Sequence, residues 1–507
     1  MTRGKDAVDR SPVVRVATEA ATNNSKQIIT AARDTADSVP VIRTGATGIT
    51  ESDPLVMASR AGQTAFFTDP KPSVISDLVD TLETGSIPTV GADTIVDHDP
   101  ETTSLPVPDT GPLSVGRRSV LGPCGWLDPL NSTEWTFVAT EQTAEAVTDI
   151  GLLGRGRGDA AADKPVTDVW EAARRTDGDP VIVVNANESS DTPRADRTLL
   201  AGAPMAVLDG MAAVAEYVGA DDAVLYLNET DVELHRFLQK AVNAAAEELP
   251  VVPQLVAAPD VYRAGAPTAA LEALEGADRI EPRLQPPPPA EYGLYGRPTV
   301  VHTPRTFAQV QRAIREPDAF DAECADPGTR LVTVAGDVAS PATIELASGG
   351  SLEATLDAVE MTGTFKLACV GGILGGITRD LDIAPTAQSL RAADLGTDGV
   401  VELLNEKRCA VATAGERAKF AATENSGRCV PGREGTKQLV ELLRDVYRGS
   451  FETDEIRELG RVMSRSSNCQ IGAHAPRPVT TAIDEFEPEF RAHTDGRCDS
   501  GTCMEKL

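Results

Sequence analysis

The sequence is poor in basic residues, and this scarcity excludes several classes of protein. Its 507 residues carry 47 lysines and arginines against 77 aspartates and glutamates, which gives a formal net charge of −30. Nucleic-acid phosphates and anionic membrane surfaces both require a basic footprint on the protein that binds them. We therefore expect no nucleic-acid partner and no attachment to an anionic membrane surface.

Long apolar runs are also missing. No run reaches the roughly 18–20 residues that cross a bilayer. The first 14 residues are polar and lack the apolar core of a secretory signal. We expect a cytoplasmic protein without direct membrane insertion.

Lysine is scarce even among the few cations, with 10 lysines against 37 arginines. The acidic residues are spread along the whole chain, whereas a patch for a basic partner would concentrate them. An acidic, lysine-poor surface is typical of proteins from a salt-saturated cytoplasm, where it keeps the chain hydrated. We interpret the charge as salt adaptation.

The 8 cysteines form no C-x-x-C pair. A disulfide framework is not expected in a cytoplasmic chain. The last two, Cys498 and Cys503, are separated by four residues and followed by a short polar end. We interpret them as a leftover surface pair and not as a ligand set.

The length and the hydropathy pattern predict an α/β multidomain protein, because about 100–200 residues are usual for one domain. Short β-branched runs alternate with helical spacing in the first and second units, which favours a mainly parallel sheet in the larger second unit. The pattern predicts one helix over 198–218, another over 351–363, and further helices towards the carboxyl end, including one over 481–493. The expected organisation is 1–90, a linker at 91–112, 113–325, 326–405, a helical unit at 406–490 and a tail at 491–507.

A glycine run and a strand end are the local signals for a ligand site. The run Gly151–Gly158 (GLLGRGRG) precedes a helix, and glycines allow backbone N–H groups to approach a phosphate. The strand VIVVNANE ends in Asn185, Asn187 and Glu188, at the usual ligand crevice of a parallel sheet. Glycine-rich turns and helix-capping turns without a ligand are the alternatives.

Taken together, the motifs resemble one family. The segments GLLGRGRG, WEAARR, VVNANE, ADRTLL, TAALEALEG, PRLQPPPPAEYGLYGRPTVV, VAGDV and GRCVPGREGT follow one another in the order found in the NADH-binding flavoprotein subunit of respiratory complex I and of NAD-reducing hydrogenases. The resemblance, of the F or 51-kDa type, covers nearly the whole chain. This chain is similar to a degenerate, haloarchaeal-like member of that family.

The resemblance implies a definite layout and chemistry. It implies a thioredoxin-like module, a Rossmann-like FMN and NADH domain, a ubiquitin-like module of the soluble-ligand-binding type and a carboxyl-terminal helical bundle for a four-iron cluster. In the family, NADH gives a hydride to FMN and electrons leave singly through iron–sulfur clusters to partner subunits of a redox complex. The cofactor-binding residues that it implies here are Gly154, Arg155, Gly156, Gly158, Asn185, Asn187 and Glu188.

The cluster positions depart from the family. A two-iron cluster needs four thiolates, and the implied positions hold Ala17, Thr22, Ala46 and Thr50. The four-iron motif reads Ser426-x-x-Cys429-x-x-Gly432 with Cys469 as the distant ligand. We therefore expect no two-iron cluster and no four-iron cluster, with Cys429 and Cys469 as the residual metal positions. These two can instead bind a different metal or stand as buried free thiols.

The nucleotide positions depart too. Asp159 introduces a carboxylate near the implied phosphate pocket, which is unfavourable unless it is paired. His302 and Thr303 replace two asparagines, and Ser190 replaces an acidic residue that faces NADH in the family. These changes predict that the NAD(H) contacts are largely lost, and FMN is the cofactor that the glycine run can still accept.

Three hypotheses for function follow. The first is a non-catalytic or reduced-activity subunit with a structural or regulatory role. The second is an active FMN-dependent NADH:acceptor oxidoreductase subunit that passes electrons to a partner. The third is a protein that binds a soluble ligand or a metal through Cys429, Cys469 or the small module at 326–405.

Overall fold

The structure, a computed structural model, describes residues 12–19, 22–138, 143–188, 190, 192–501 and 503, with the side chains of 143–146 left aside. Three β-sheets follow one another along the chain and helices make up its last fifth, which confirms the α/β multidomain class. The strands are β1 (Val13–Ala17), β2 (Val41–Thr44), β3 (Leu55–Arg60), β4 (Gln63–Thr68), β5 (Thr94–Asp97), β6 (Val181–Asn185), β7 (Asp222–Asn228), β8 (Gln254–Ala258), β9 (Thr299–His302), β10 (Thr329–Gly336), β11 (Ala342–Ala347), β12 (Phe365–Val370), β13 (Gly376–Thr378) and β14 (Val400–Asn405). The helices are α1 (Asn23–Thr35), α2 (Pro72–Glu83), α3 (Thr143–Ile150), α4 (Val166–Arg175), α5 (Ala195–Gly202), α6 (Pro204–Val218), α7 (Val232–Ala245), α8 (Pro267–Leu274), α9 (Pro304–Arg315), α10 (Ala354–Asp357), α11 (Ala387–Ala392), α12 (Ala410–Glu424), α13 (Thr436–Tyr447), α14 (Thr453–Ser466), α15 (Gln470–His474) and α16 (Arg477–Thr494).

The first sheet has the strand order β2-β1-β3-β4-β5, with β1 parallel to β2 and the other pairs antiparallel. Helices α1 and α2 pack together over it, and Ile28, Phe67 and Ile75 are buried between the helices and the strands. Strand β5 lies inside the segment 91–112 that the sequence predicts as a linker. That segment therefore supplies an edge strand to the first sheet.

The second sheet is parallel throughout, in the order β8-β7-β6-β9. The whole of β6 is buried, as expected for a strand covered by helices on both faces. The single helix predicted over 198–218 is wrong: α5 and α6 meet at Ala203 with a bend of 98°. Pro204 causes the break, because a proline disfavours helical geometry in the residue before it, and Ala203 has φ −144° and ψ 56°.

No single helix among the described residues is long and apolar enough to cross a bilayer. Helices α5 and α6 have the length and apolar composition of a membrane span only when they are counted together, and the chain bends by 98° between them.

The third sheet has the order β11-β10-β14-β12-β13, and its central strands β10 and β14 run parallel. The helix predicted over 351–363 is much shorter, because only α10 forms there. The residues after it bond to an extended segment instead: the Ala339 N–H donates to the Glu360 carbonyl at 2.8 Å, and Val338 bridges Met361. Backbone pairing to the segment just after β10 thus replaces the last turns of the expected helix.

The first and third sheets share one core. Ile49 forms an isolated β-bridge with Ala342 of β11. Met57 and Phe66 from the first sheet belong to the same buried cluster as Ile344 from the third. The two sheets are therefore packed as one body.

The carboxyl-terminal helices α12 to α16 form a bundle against β12 and β13. A π-helical turn, Pro431–Gly435, leads into α13. The helix predicted over 481–493 is confirmed within α16, which contains Pro488 and bends at Phe486, where φ is −129°. Phe486 and Phe490 are buried on the face of α16 that packs into the bundle.

Candidate functional site

A cleft opens beyond the carboxyl ends of the parallel strands of the second sheet, where α/β proteins usually bind ligands. Strand β6 ends at Asn185 and β9 ends at His302, so the residues that follow them reach the same edge. The cleft encloses about 520 Å³, its open mouth included. Its lining comprises Arg157, Gly158, Asn185, Asn187, Glu188, Ser190, Thr192, Pro193, Asp196, Tyr262, Gly265, Thr303, Arg305, Gly372, Ile373 and Asp398.

Four of the seven predicted cofactor residues line this cleft: Gly158, Asn185, Asn187 and Glu188. Arg155 points the other way, into the interior. Its guanidinium lies 2.6 Å from the Asp326 carboxylate and donates to the Pro327 carbonyl at 2.9 Å. Arg155 therefore fastens the glycine run to the segment that leads into β10.

The glycine run is closely covered by the chain's own side chains. A Cβ on Gly158 would lie 2.7 Å from the Asn185 amide nitrogen. A Cβ on Gly156, whose φ is +80°, would lie 3.2 Å from the Arg305 guanidinium. Gly154 faces Asp159 and the Ala161 carbonyl, both at 2.5 Å from its Cβ position. The space that the missing side chains leave is thus filled by this chain's own atoms.

Arg305, near the start of α9, is the centre of the charge network in the cleft. It meets the Asp196 carboxylate through two hydrogen bonds, from Nε at 3.0 Å and from Nη2 at 2.7 Å. The same Nη2 lies 3.1 Å from Glu188, and Nη1 donates to the Asp398 carbonyl at 2.7 Å. The guanidinium is therefore shared by the buried Asp196 carboxylate and the partly buried Glu188 carboxylate.

Glu188 also caps the amino end of α5. Its carboxylate accepts from the backbone N–H groups of Asp196 and Arg197, both at 3.1 Å. Burial and the nearby Asp196 carboxylate raise the pKa of Glu188 to about 7, against the lowering effect of Arg305. The Glu188 carboxylate is thus held by two backbone N–H groups of α5 and by the Arg305 guanidinium.

The asparagines of the cleft are bonded within the chain. The Asn185 amide donates to the Gly158 carbonyl at 3.0 Å and to the Gly265 carbonyl at 3.1 Å. Asn228, at the end of β7, donates to the Asn187 side-chain oxygen at 3.1 Å. These bonds join the ends of β6 and β7 and tie the end of β6 to the glycine run and to the loop that contains Gly265.

Arg157 lines the cleft and packs on Tyr262. Its guanidinium carbon is 3.8 Å from the centre of the Tyr262 ring, and Nη2 donates to the Tyr262 carbonyl at 2.8 Å. Burial raises the pKa of Tyr262 to about 12, and burial also raises the pKa of the adjacent Asp398 carboxyl.

The sequence did not predict Arg305 and Asp398 as parts of this site, because neither residue belongs to a motif.

Asp159, which the sequence marks as unfavourable unless paired, is paired. Its carboxylate lies 3.0 Å from His302 Nδ1 and accepts from the Thr306 hydroxyl at 2.6 Å and the Ala161 N–H at 2.7 Å. The Trp170 indole N–H donates to His302 Nε2 at 2.8 Å. Because Nε2 accepts this bond, the imidazole carries its proton on Nδ1 and donates it to Asp159.

The two residual four-iron positions are close together in the bundle. Cys429 Sγ and Cys469 Sγ lie 3.9 Å apart. A Cβ on Gly432 would lie 3.0 Å from the first sulfur and 3.4 Å from the second, so the third motif position faces the pair without a ligand. A four-iron cluster needs four protein ligands, usually thiolates. With only two thiols at these positions, this donor set does not fit such a cluster.

Three of the four implied two-iron positions also converge. Ala17, Ala46 and Thr50 line one small cavity of about 230 Å³. Thr22 instead caps α1, where its hydroxyl accepts from the Ser25 N–H at 3.1 Å. No cysteine is among the described residues that line the cavity, so the donor set does not fit a two-iron cluster.

The interpretation of Cys498 and Cys503 as a leftover surface pair is wrong. Cys503 is only 1% exposed, because it packs into the bundle core. Its sulfur lies 3.1 Å from Cys498 Sγ and 3.0 Å from His493 Nε2.

Comparison with known proteins places the chain among redox subunits. Residues 147–312 match the profile of the Nuo51 FMN-binding domain, and residues 412–493 match that of the NADH-ubiquinone oxidoreductase-F iron-sulfur binding region. The α subunit of the NAD-reducing hydrogenase HoxS of Cupriavidus necator is 27% identical over 87% of this chain and 74% of its own length. The NADP-reducing hydrogenase subunit HndC of Solidesulfovibrio fructosivorans is 28% identical over 76% of this chain and 85% of its own length.

A solved structure agrees on the fold. A chain of the NAD⁺-reducing [NiFe]-hydrogenase in the H₂-reduced state superposes with a TM-score of 0.66 at 23% identity, over 96% of this chain and 84% of that one. Among the curated relatives, the F-type subunit of the NADH-quinone oxidoreductase of Streptomyces coelicolor is 30% identical over 71% of this chain and 84% of its own length. The chain therefore belongs to the 51-kDa-type flavoprotein family of NADH-quinone oxidoreductase.

Proposed function

We propose that this chain is a non-catalytic member of its family, a structural or regulatory subunit that keeps the flavoprotein fold. The observation that carries the proposal is the internal pairing of the cleft. Arg305 is shared by Asp196 and Glu188, and the Asn185 amide bonds two backbone carbonyls. A flavin phosphate needs donors that face it, and a donor already bonded to a carboxylate or carbonyl must first break that bond.

The positions for iron–sulfur clusters support the same proposal. Only Cys429 and Cys469 remain of the implied four-iron ligands, and the implied two-iron positions hold alanine and threonine. The resemblance implies that electrons leave the flavin singly through such clusters. Without them, this chain has no onward path of its own for electrons.

Partner subunits are part of the proposal. The related proteins from Streptomyces coelicolor and Cupriavidus necator are named as subunits of NADH-quinone oxidoreductase and of an NAD-reducing hydrogenase. We infer that this chain likewise assembles with other subunits of a redox complex and contributes packing surfaces there.

The test is the optical spectrum of the full chain, purified in high salt and then mixed with FMN and NADH. We expect a colourless protein, no retention of FMN after gel filtration, no absorbance change with NADH, and far fewer than about four irons per chain by metal analysis. A yellow protein with flavin near one per chain, bleached by NADH, would overturn the proposal.

An active FMN-dependent NADH:acceptor oxidoreductase subunit is the second candidate. It is favoured by the match to an FMN-binding profile and by the place of the cleft, beyond the carboxyl ends of parallel strands where α/β proteins usually bind ligands. If flavin is retained, Asn185→Leu should abolish its retention, since Asn185 stands on the cleft wall. Asn243→Leu, on the exposed face of α7, is the matched control and should leave it unchanged.

A further inference from the structure

Four metal-binding side chains meet in the carboxyl-terminal bundle, outside the cleft. They are Cys409, His493, Cys498 and Cys503, and their ligand atoms all lie within 4.8 Å of one another. His493 Nε2 is 3.4 Å from Cys409 Sγ and 3.0 Å from Cys503 Sγ. Cys498 Sγ is 3.1 Å from Cys503 Sγ. Three sulfurs therefore surround one imidazole nitrogen.

Separate parts of the chain bring these groups together. Cys409 is the residue before α12, just after the last strand of the third sheet. His493 lies in the last turn of α16, and Cys498 and Cys503 lie in the segment that follows it. Cys409, His493 and Cys503 are buried and Cys498 is partly exposed. Cys409 and His493 are 84 positions apart in the sequence, so it is the tertiary fold that brings them together.

The histidine is oriented as a metal ligand. Its Nδ1 lies 2.6 Å from the Glu489 backbone carbonyl oxygen. A carbonyl can only accept, so Nδ1 carries the proton and donates it, and the Nε2 lone pair is directed at the sulfurs. Metal-ligating histidines make this bond with their other ring nitrogen, which fixes both tautomer and ring orientation.

We propose that Cys409, His493, Cys498 and Cys503 bind one zinc ion in a closed tetrahedral site. Three thiolates with one imidazole are a structural zinc donor set, and soft sulfur ligands disfavour calcium and magnesium. Bonds of about 2.3 Å to sulfur and about 2.0 Å to nitrogen require ligand separations of about 3.5–3.8 Å. Three of the six separations are 3.0, 3.1 and 3.4 Å and have to widen by up to about 0.7 Å, and all six already lie within 4.8 Å.

Zinc binding releases the thiol protons, because the thiolate is the ligand. The neighbouring Tyr447 is suited to the sulfur charge that results. Its ring packs edge-on against His493 at 5.3 Å between ring centres, and its buried hydroxyl lies beside the Cys503 sulfur. A thiolate sulfur in this site can accept a hydrogen bond from it.

The site would fasten the end of the chain to the bundle. The residues after α16 belong to no helix or strand among those described, and Cys498 and Cys503 are their links to the bundle core. A zinc ion shared with Cys409 would close a loop from the start of α12 to position 503. We expect this loop to stabilise the whole bundle, as structural zinc sites do.

The experiment uses the full chain, stripped of metal by a chelator and titrated with Co²⁺ and then Zn²⁺. We expect about one zinc per chain in the untreated protein, and about one Co²⁺ per chain with the strong visible bands of tetrahedral thiolate coordination, displaced by Zn²⁺. The double variant Cys498→Ser with Cys503→Ser should lose both signals. The matched control, Cys429→Ser with Cys469→Ser, should keep both.

Three results would overturn the proposal. The first is a metal-free protein whose stripped, folded form gives no tetrahedral Co²⁺ spectrum. The second is zinc that survives in the Cys498/Cys503 variant or disappears in the Cys429/Cys469 variant. The third is iron in place of zinc in the untreated protein. The Co²⁺ titration of the unmutated chain decides by itself if a variant fails to fold, as judged by circular dichroism.

Discussion

His302 Nδ1 lies 3.0 Å from the Asp159 carboxylate, and both side chains are completely shielded from solvent. From the sequence alone, each residue is interpreted as a departure from the family pattern and as the loss of a flavin contact. In the structure the two form one unit, because the histidine proton is donated to the carboxylate while Trp170 bonds the other ring nitrogen. The two departures compensate each other.

Asp159→Asn should therefore destabilise the fold. The carboxylate accepts from His302, the Thr306 hydroxyl and the Ala161 N–H, and an amide nitrogen in its place would face donors. We expect the free energy of unfolding to fall by about 3 kcal/mol in urea titrations at high salt. Asp318→Asn, at an exposed position, is the control and should change it by less than about 0.5 kcal/mol. Equal effects of the two variants would contradict a role for the buried pair.

Arg305→Lys should be costly although it keeps the charge. Lysine cannot reproduce the paired hydrogen bonds to Asp196 or reach Glu188 in the same fork geometry. The buried Asp196 and the partly buried Glu188 would then have a poorer hydrogen-bond donor between them. We expect a loss of about 2–4 kcal/mol in the free energy of unfolding. Arg236→Lys, whose ion pair with Glu233 is exposed, provides the comparison and should cost almost nothing.

Glu188 should give the stability a distinct pH dependence. Burial raises its pKa to about 7 from an ordinary value near 4.5, so between these values the folded chain holds a proton that the unfolded chain releases. Its contribution to the free energy of unfolding therefore falls as the pH rises through this window, by up to about 1.4 kcal/mol per pH unit, and is constant above it.

The measurement is the difference in unfolding free energy between the wild type and Glu188→Gln at several pH values from 5 to 8. The difference should shift against the wild type as the pH rises and level off near pH 8. Glu247→Gln, at an exposed position, should show no such trend. A flat difference for Glu188→Gln would mean that its carboxyl titrates normally.

Gly210→Ala should separate α6 from α9. A Cβ at this position would lie 2.0 Å from the Phe307 carbonyl oxygen of α9, where the backbones of the two helices touch. Backbone atoms cannot move aside as the end of a flexible side chain can. We therefore expect the free energy of unfolding to fall by about 1–3 kcal/mol, measured by thermal or urea unfolding. Gly349→Ala meets no atom within 4 Å and serves as the reference. An unchanged stability would show that the helices adjust without cost.

The parts of the fold that follow local rules were predictable from the sequence. The uninterrupted apolar strand β6 is buried on both faces, and its polar end reaches the crevice where Asn185 and Glu188 lie. The helix over 198–218 was predicted without its break, since an apolar pattern continues through Pro204 although the backbone does not. Pro204 was the residue from which the break could have been predicted.

The composition of the cleft and of the metal site depended on tertiary packing. Arg305 follows a proline at the start of a helix, and nothing local distinguishes it from a surface arginine. Cys409 reaches His493 across 84 positions, so spacing rules that find short metal motifs do not apply. His493, five residues before Cys498, is a local indication of a metal site in the sequence. The ligand set is complete only with the distant Cys409, which the fold brings close. Salt adaptation remains a prediction from composition.

The shared core of the first and third sheets gives the amino-terminal module a structural role in its neighbour. Ile49 and Ala342 pair across the junction, and Met57, Phe66 and Ile344 lie in one buried cluster. Removing the module would strip one wall from the interior of its neighbour and expose that apolar face to water. A chain built in this way can lose thiolates without losing the scaffold that surrounded them. The contribution of this module to the folded state is then a matter of cooperative folding, independent of whether any electron passes through it.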